Sequence, residues 1–90
     1  MTDDKSLKQR LKEVPGWSLT DEGLSREYVF DDFVAAWGFM SRVALIAQAL
    51  NHHPDWSNSY NHVSIKLFSH SAGRVTAKDL ELAEGINQLV

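Results

Sequence analysis

The sequence contains no cysteine. That excludes disulfides, thiol nucleophiles and cysteine-ligated zinc, and it leaves few side chains able to do chemistry. Proline occurs only at positions 15 and 54, so each marks a break in local structure. Clean apolar runs fall far short of a membrane span, so no spanning segment is expected. Basic residues are not in excess: nine Lys and Arg stand against twelve Asp and Glu, for a net charge of -3. The cations are scattered rather than gathered in a stripe, so direct nucleic-acid binding is not expected. Met1-Thr2-Asp3-Asp4-Lys5 is polar and acidic, unlike a signal peptide, and a cytoplasmic location is the natural expectation. There is no glycine-rich phosphate loop, and no serine sits in a Gly-x-Ser-x-Gly elbow that would activate it.

What is present fits one small soluble domain spanning residues 1–90. A chain of this size buries only ~60% of its unfolded surface, so its stability benefits if subunits share burial. Three Trp, four Phe and two Tyr supply large side chains for a core.

Leu7, Leu11 and Val14 are spaced as one face of a short helix, and Pro15-Gly16 ends it. Trp17 to Thr20 and Leu24 to Phe30 read as two strands joined at Asp21-Glu22-Gly23, with Leu24, Tyr28 and Phe30 on one face. Asp31 or Asp32 caps a long helix running to about Leu50. Phe33, Trp37, Met40, Ala44 and Ala47 form one apolar stripe on it, widened by Val43 and Leu50. Ala35, Phe39 and Ile46 form a second stripe, interrupted by Arg42. A helix apolar on more than one side needs cover on more than one side, and a second subunit could supply it. Gly38 offers a place for close approach. Trp56 to Asn61 reads as a short strand or loop. Val63, Ile65 and Leu67 alternate with polar residues as a half-buried strand, and Phe68 breaks that polar face. Thr76-Ala77-Lys78-Asp79 is a capping box opening a last helix, with Leu80, Ala83, Ile86 and Leu89 or Val90 facing inward. The order predicts an α+β domain: a four-stranded antiparallel sheet with three helices packed on one face.

The chemistry concentrates in histidine. His52-His53 precede Pro54 at the end of the long helix, and His70 follows the last strand. Imidazoles titrate near neutrality and can give or take protons at cellular pH. Pro54 stiffens the chain and holds the adjacent rings apart. A solvated or purely structural role remains open for each ring on this ground alone. A metal site is disfavoured, since no cysteine and no helical histidine pair at a spacing of four is available. His62, on the last strand, lies ~26 Å along a straight strand from His70 and is left out of the cluster.

His52-His53-Pro54, then Tyr60, His70 and Asp79, form an ordered set whose spacing resembles the pterin-4a-carbinolamine dehydratase family. The segments Trp37-Gly38-Phe39-Met40-Ser41-Arg42-Val43-Ala44-Leu45 and Asp79-Leu80-Glu81-Leu82-Ala83 are similar to the same family, and the likeness runs from Leu7 to Ile86. The resemblance implies a similar fold, assembled as a homodimer or homotetramer. It implies a lyase acting on 4a-hydroxytetrahydropterin, the carbinolamine released by aromatic amino acid hydroxylases, to give quinonoid dihydropterin and water. The pterin is then the substrate, and neither a cofactor nor a metal is implied.

By that resemblance the catalytic set is His52, His53 and His70, with His52 and His70 moving protons and His53 also binding and orienting the pterin. Trp56 would wall the pocket, and Asp79 would support it from the helix start. Gln48 stands where the family favours a charged residue or histidine, and as a substrate-side residue it can hydrogen-bond without adding charge. Lys78 replaces an arginine of some members. The alternative on the same scaffold is a noncatalytic module that assembles or regulates a partner, as in family members that serve a homeodomain transcription factor.

Overall fold

A computed structural model describes residues 9–90. The elements are α1, of which residues 9–11 are described, β1 (Ser18–Thr20), β2 (Gly23–Val29), α2 (Phe33–Leu50), β3 (Asp55–Ser59), β4 (His62–Leu67) and α3 (Ala77–Asn87). Four strands make one antiparallel sheet in the order β1-β2-β4-β3, and with the three helices they form the expected α+β fold. Leu7 of the first expected helix lies outside the described residues. Its partners by spacing behave as expected: Leu11 is half-buried and Val14 buried.

Two hairpins build the sheet. In the first, Leu19 pairs with Leu24 and Thr20 with Gly23. Gly23 has φ +119, and a Cβ there would meet the Leu67 carbonyl oxygen at 2.2 Å, so only glycine fits between β2 and the end of β4. In the second, Asp55 pairs with Lys66 and Ser59 with His62 around a turn at Tyr60 and Asn61. Tyr60 takes the left-handed conformation at φ 52, and the Asn58 side-chain amide donates to the Tyr60 and His62 carbonyls at 3.1 and 2.9 Å. Tyr28 pairs with Val63 and Leu24 with Leu67, which joins the hairpins. Period-two alternation then puts Leu24, Tyr28, Val63, Ile65 and Leu67 on the buried side.

Asp32 caps α2, its Oδ1 accepting from the Ala35 N–H at 2.8 Å, and Asn51 ends it in a left-handed conformation at φ 53. The face that packs on the sheet is Ala36, Phe39, Val43 and Ala47: of the expected stripe, Val43 and Ala47 are buried and Met40 and Leu50 half-buried, whereas Phe33, Trp37 and Ala44 are exposed. Ring contacts set this rotation: Phe39 lies 4.7 Å from Tyr28 and 4.9 Å from Phe30, centroid to centroid. Phe33, Val34, Trp37 and Leu45 are left exposed on the far side. The expected second stripe is likewise revised, because Phe39 is fully buried core. By length and mean hydropathy (1.5), this 18-residue helix also has the composition of a membrane span, contrary to the expectation that no segment would. Its packed inner face is that of a core helix.

Gly38 has nothing within 4 Å of where a Cβ would lie, so it makes no close approach within the chain. Gly85 does: a Cβ there would come 3.1 Å from Ile46 Cγ2, where α3 crosses α2. Along α3, Leu80, Ala83 and Ile86 are buried as expected, and so is Leu82. Each large apolar side chain buried this way contributes about 1.5–3 kcal/mol.

Three polar groups brace the ends of the core. Asn87 Oδ1 accepts from Trp17 Nε1 at 2.8 Å and from the Arg26 guanidinium at 2.9 Å, which ties the chain before β1 to the end of α3. The same guanidinium sits 4.5 Å over the Tyr28 ring. The Tyr28 hydroxyl is buried with no hydrogen-bond partner. Burial pushes its phenol above the ordinary tyrosine value, with the Arg26 charge acting in the opposite direction.

Candidate active site

Three chain segments surround an open cleft of about 700 Å³: residues 51–55 after α2, 68–72 after β4, and 76–78 at the start of α3. Each enters the cleft because an element ends there. Asn51 terminates α2 and Pro54 keeps the following chain extended. At the end of β4, Gly73 (φ +69) helps turn the chain back. Thr76 starts α3. His52, His53 and His70 all line the cleft, so three histidines separated by as many as 18 positions in the chain share one site.

The three rings have different partners. His52 is nearly enclosed, its side chain 13% exposed, and its Nε2 lies 2.5 Å from Oδ1 of the fully buried Asp79. His53 points elsewhere, as the stiffening by Pro54 predicts: its Nε2 lies 3.2 Å from Gln48 Oε1, one and a half helical turns back. Gln48 is uncharged and orients the His53 ring by this contact without adding charge. His70 is exposed, 3.0 Å from Asp55 Oδ2, and its ring meets the edge of Phe68 at 5.1 Å. The apolar break that Phe68 makes in the strand pattern is therefore a contact with this histidine.

Asp79 does not line the cleft. It stands behind His52 and serves two purposes. Oδ2 accepts from the Thr76 N–H at 2.8 Å, the reach-back of a capping box, while Oδ1 holds the imidazole. Ser69 Oγ adds a further donor to Oδ2 at 2.8 Å. Trp56 is not part of the cleft lining, which corrects the expectation that it walls the pocket. On β3 it pairs with Ile65, on the core side of the strand, and packs half-buried against the core. Gln48 touches His53 rather than the cleft itself. Tyr60 sits exposed at the tip of the second hairpin, and His62 is exposed on β4; neither joins the site. Among the described residues, no three or more His, Asp or Glu are gathered as a metal would require.

Two site residues were missed in the sequence, and both carried a signal. Ser69 continues the inward alternation Val63, Ile65, Leu67, so a hydroxyl at that position is buried and needs a partner. Asp55 follows Pro54 directly, but its approach to His70 depends on the pairing of β3 with β4. Lys78, Asn51, Ser71 and Thr76 complete the polar rim.

Residues 1–89 match the family model described as Pterin 4 alpha carbinolamine dehydratase. A Rhodospirillum rubrum protein is 50% identical over 90 residues, covering 98% of this chain and 94% of its own length. A Prochlorococcus marinus (strain MIT 9313) protein is 48% identical over 85 residues, covering 94% and 88%. Both carry the name "Putative pterin-4-alpha-carbinolamine dehydratase". Among solved structures, the transcriptional coactivator/pterin dehydratase from Brucella melitensis superposes with a TM-score of 0.91 at 37% identity, covering 98% of this chain and 96% of that one. The chain belongs to the pterin 4 alpha carbinolamine dehydratase family. The names within it indicate a dehydratase, which is a lyase.

Proposed function

We propose that the protein dehydrates a 4a-hydroxytetrahydropterin to the quinonoid dihydropterin by histidine acid–base catalysis. The observation that carries this reading is the convergence of His52 and His70 from separate segments onto one cleft, each beside its own carboxylate. In the reaction the C4a–O bond breaks and the hydroxyl leaves as water after accepting a proton. The neighbouring ring nitrogen gives up its proton as the carbon–nitrogen double bond forms. Protons are exchanged but no electrons, so the step calls for no redox cofactor, and the pterin itself is the substrate. One imidazole supplies the proton and another removes one, a division of labour worth about 10²–10⁴ in rate. The Asp79 carboxylate holds the His52 ring in place from behind. His53, oriented by Gln48, helps to bind and place the pterin.

This activity suits a cytoplasmic protein that recycles the pterin of aromatic amino acid hydroxylases. We further propose that the chain self-associates as a homodimer or homotetramer. The exposed Phe33, Val34, Trp37 and Leu45 supply an apolar helix face for it. Trp37→Glu with Leu45→Glu is expected to lower the mass in sedimentation while leaving the circular dichroism of the fold unchanged. An unaltered mass would rule out this face.

A second reading is a binding module for another protein. It is favoured by the coactivator role named for the Brucella melitensis structure and by the same exposed face. The test that separates the two is the decay of freshly generated 4a-hydroxytetrahydropterin, followed by ultraviolet absorbance. Acceleration by the pure protein supports the dehydratase. No acceleration, together with capture of a stable partner that the double substitution abolishes, supports the module.

A further inference from the structure

We propose that Ser69 is a positioning residue that fixes the His52 imidazole through Asp79. Ser69 and Asp79 are both buried, at 6% and 0% exposure, and they touch each other. The network allows one arrangement of protons. An ionised Asp79 only accepts, so Ser69 must donate its single hydroxyl proton to Oδ2 at 2.8 Å. The 2.6 Å contact between the Ser69 and Thr76 hydroxyls must then be donated by Thr76. Thr76 N–H takes the remaining place on Oδ2 at 2.8 Å, which leaves Oδ1 turned to His52 Nε2. Nε2 therefore carries the proton, and Nδ1 is the nitrogen left with a lone pair whenever the ring is neutral.

Ser69 holds the other side of the site by its backbone. Its carbonyl accepts from the N–H groups of Ala72 and Gly73 at 3.0 and 2.8 Å, and its own N–H donates to the Arg74 carbonyl at 3.1 Å. These bonds close the turn that begins with His70. One buried residue thus anchors the loop carrying one imidazole and the carboxylate orienting another. Without the hydroxyl, Oδ2 keeps a single donor and the Thr76 hydroxyl loses its acceptor. The carboxylate is then free to rotate, and His52 loses its fixed tautomer. A buried network with one member missing loses more than the pairwise contact.

The inference draws on the dehydratase reading only for its kinetic readout. Its primary test is ¹⁵N NMR of the His52 ring in the ligand-free protein, comparing wild type, Ser69→Ala and Ser69→Thr. Wild type is expected to show the Nε2–H tautomer alone, and Ser69→Ala a mixture. Ser69→Thr keeps the hydroxyl and is expected to restore the single form. In turnover, Ser69→Ala is expected to lower kcat about tenfold with KM changed less than about twofold, the pattern of an orienting group behind a reacting one. A Ser69→Ala protein with reduced thermal stability but an unchanged His52 tautomer and kcat would overturn the proposal. If that variant does not fold, Ser69→Cys retains the volume with a much weaker donor and is expected to give the alanine result. Should wild type not turn over the carbinolamine at all, the dehydratase reading fails, while the tautomer comparison still decides the role of Ser69.

Discussion

Two histidines of the cleft are each paired with an aspartate, in two environments. His52 and Asp79 lie 2.5 Å apart with side chains 13% and 0% exposed. His70 and Asp55 lie 3.0 Å apart with side chains 74% and 65% exposed. The first pair is embedded between the end of α2 and the start of α3, and its carboxylate has two further donors. The second pair sits in solvent, and among the described residues its contacting atoms bond only to each other. A carboxylate held by several donors out of water defines one geometry for its imidazole. An exposed pair is screened and contributes little, about 0–1 kcal/mol. The two histidines are prepared differently: His52 by a fixed buried partner, His70 by its loop, its ring contact with Phe68 and an exposed carboxylate.

The largest expected effect follows from breaking the buried pair. Asp79→Ala leaves the Ser69 hydroxyl, the Thr76 N–H and the His52 ring without their acceptor, and it is expected to cost about 3 kcal/mol in urea unfolding. A loss under about 1 kcal/mol would mean that the buried pair resembles the exposed one after all. The matching change at the exposed pair, Asp55→Asn, is expected to shift stability by less than about 0.5 kcal/mol. It should change turnover by less than about twofold, and raising the salt concentration should mimic it, since exposed charges are screened over about 10 Å at 0.1 M. A large Asp55→Asn effect on rate, measured at low and high salt, would erase the distinction.

The smallest effect is expected at Tyr28, whose buried hydroxyl has no hydrogen-bond partner among the described residues. Tyr28→Phe is expected to be neutral or slightly stabilising at pH 7, because no hydrogen bond is lost. Burial raises the folded-state pKa of this phenol, so the unfolded chain releases the proton first. Stability therefore falls as pH climbs past the ordinary tyrosine value of about 10. In Tyr28→Phe this alkaline component should vanish from the pH dependence of the melting temperature. An unchanged alkaline limb would show that other groups cause it.

Much of the fold was legible, for physical reasons tied to particular residues. Asp32 and Asn51 bracket α2, and period-two alternation marks β4; these are local signals. The rotation of α2 was not legible. The helix is apolar nearly all round, so Phe33 and Trp37 look as core-like as Phe39, and only the rings of Tyr28 and Phe30 decide among them. Gly38 and Gly85 pose the same problem, since which glycine lies at a helix crossing depends on the partner helix. At the site, the histidines stood out by residue type and Asp79 as a capping-box residue, and only the family resemblance joined them into one site. Asp55 depended on strand pairing, and Ser69 needed the alternation carried one residue beyond the strand. Trp56 was assigned to the pocket wall by the family resemblance alone, whereas its register opposite Ile65 turns it to the core.

His52 and His70 are the proposed proton-transfer groups of a dehydratase. The most direct measurement is the rate of disappearance of freshly generated 4a-hydroxytetrahydropterin with wild type, His52→Ala and His70→Ala at equal concentrations. Wild type is expected to accelerate the decay, and each substitution to slow the catalysed rate about tenfold or more, in keeping with the usual worth of a proton-transfer group. Equal rates in all three proteins, or no acceleration by wild type, would contradict it.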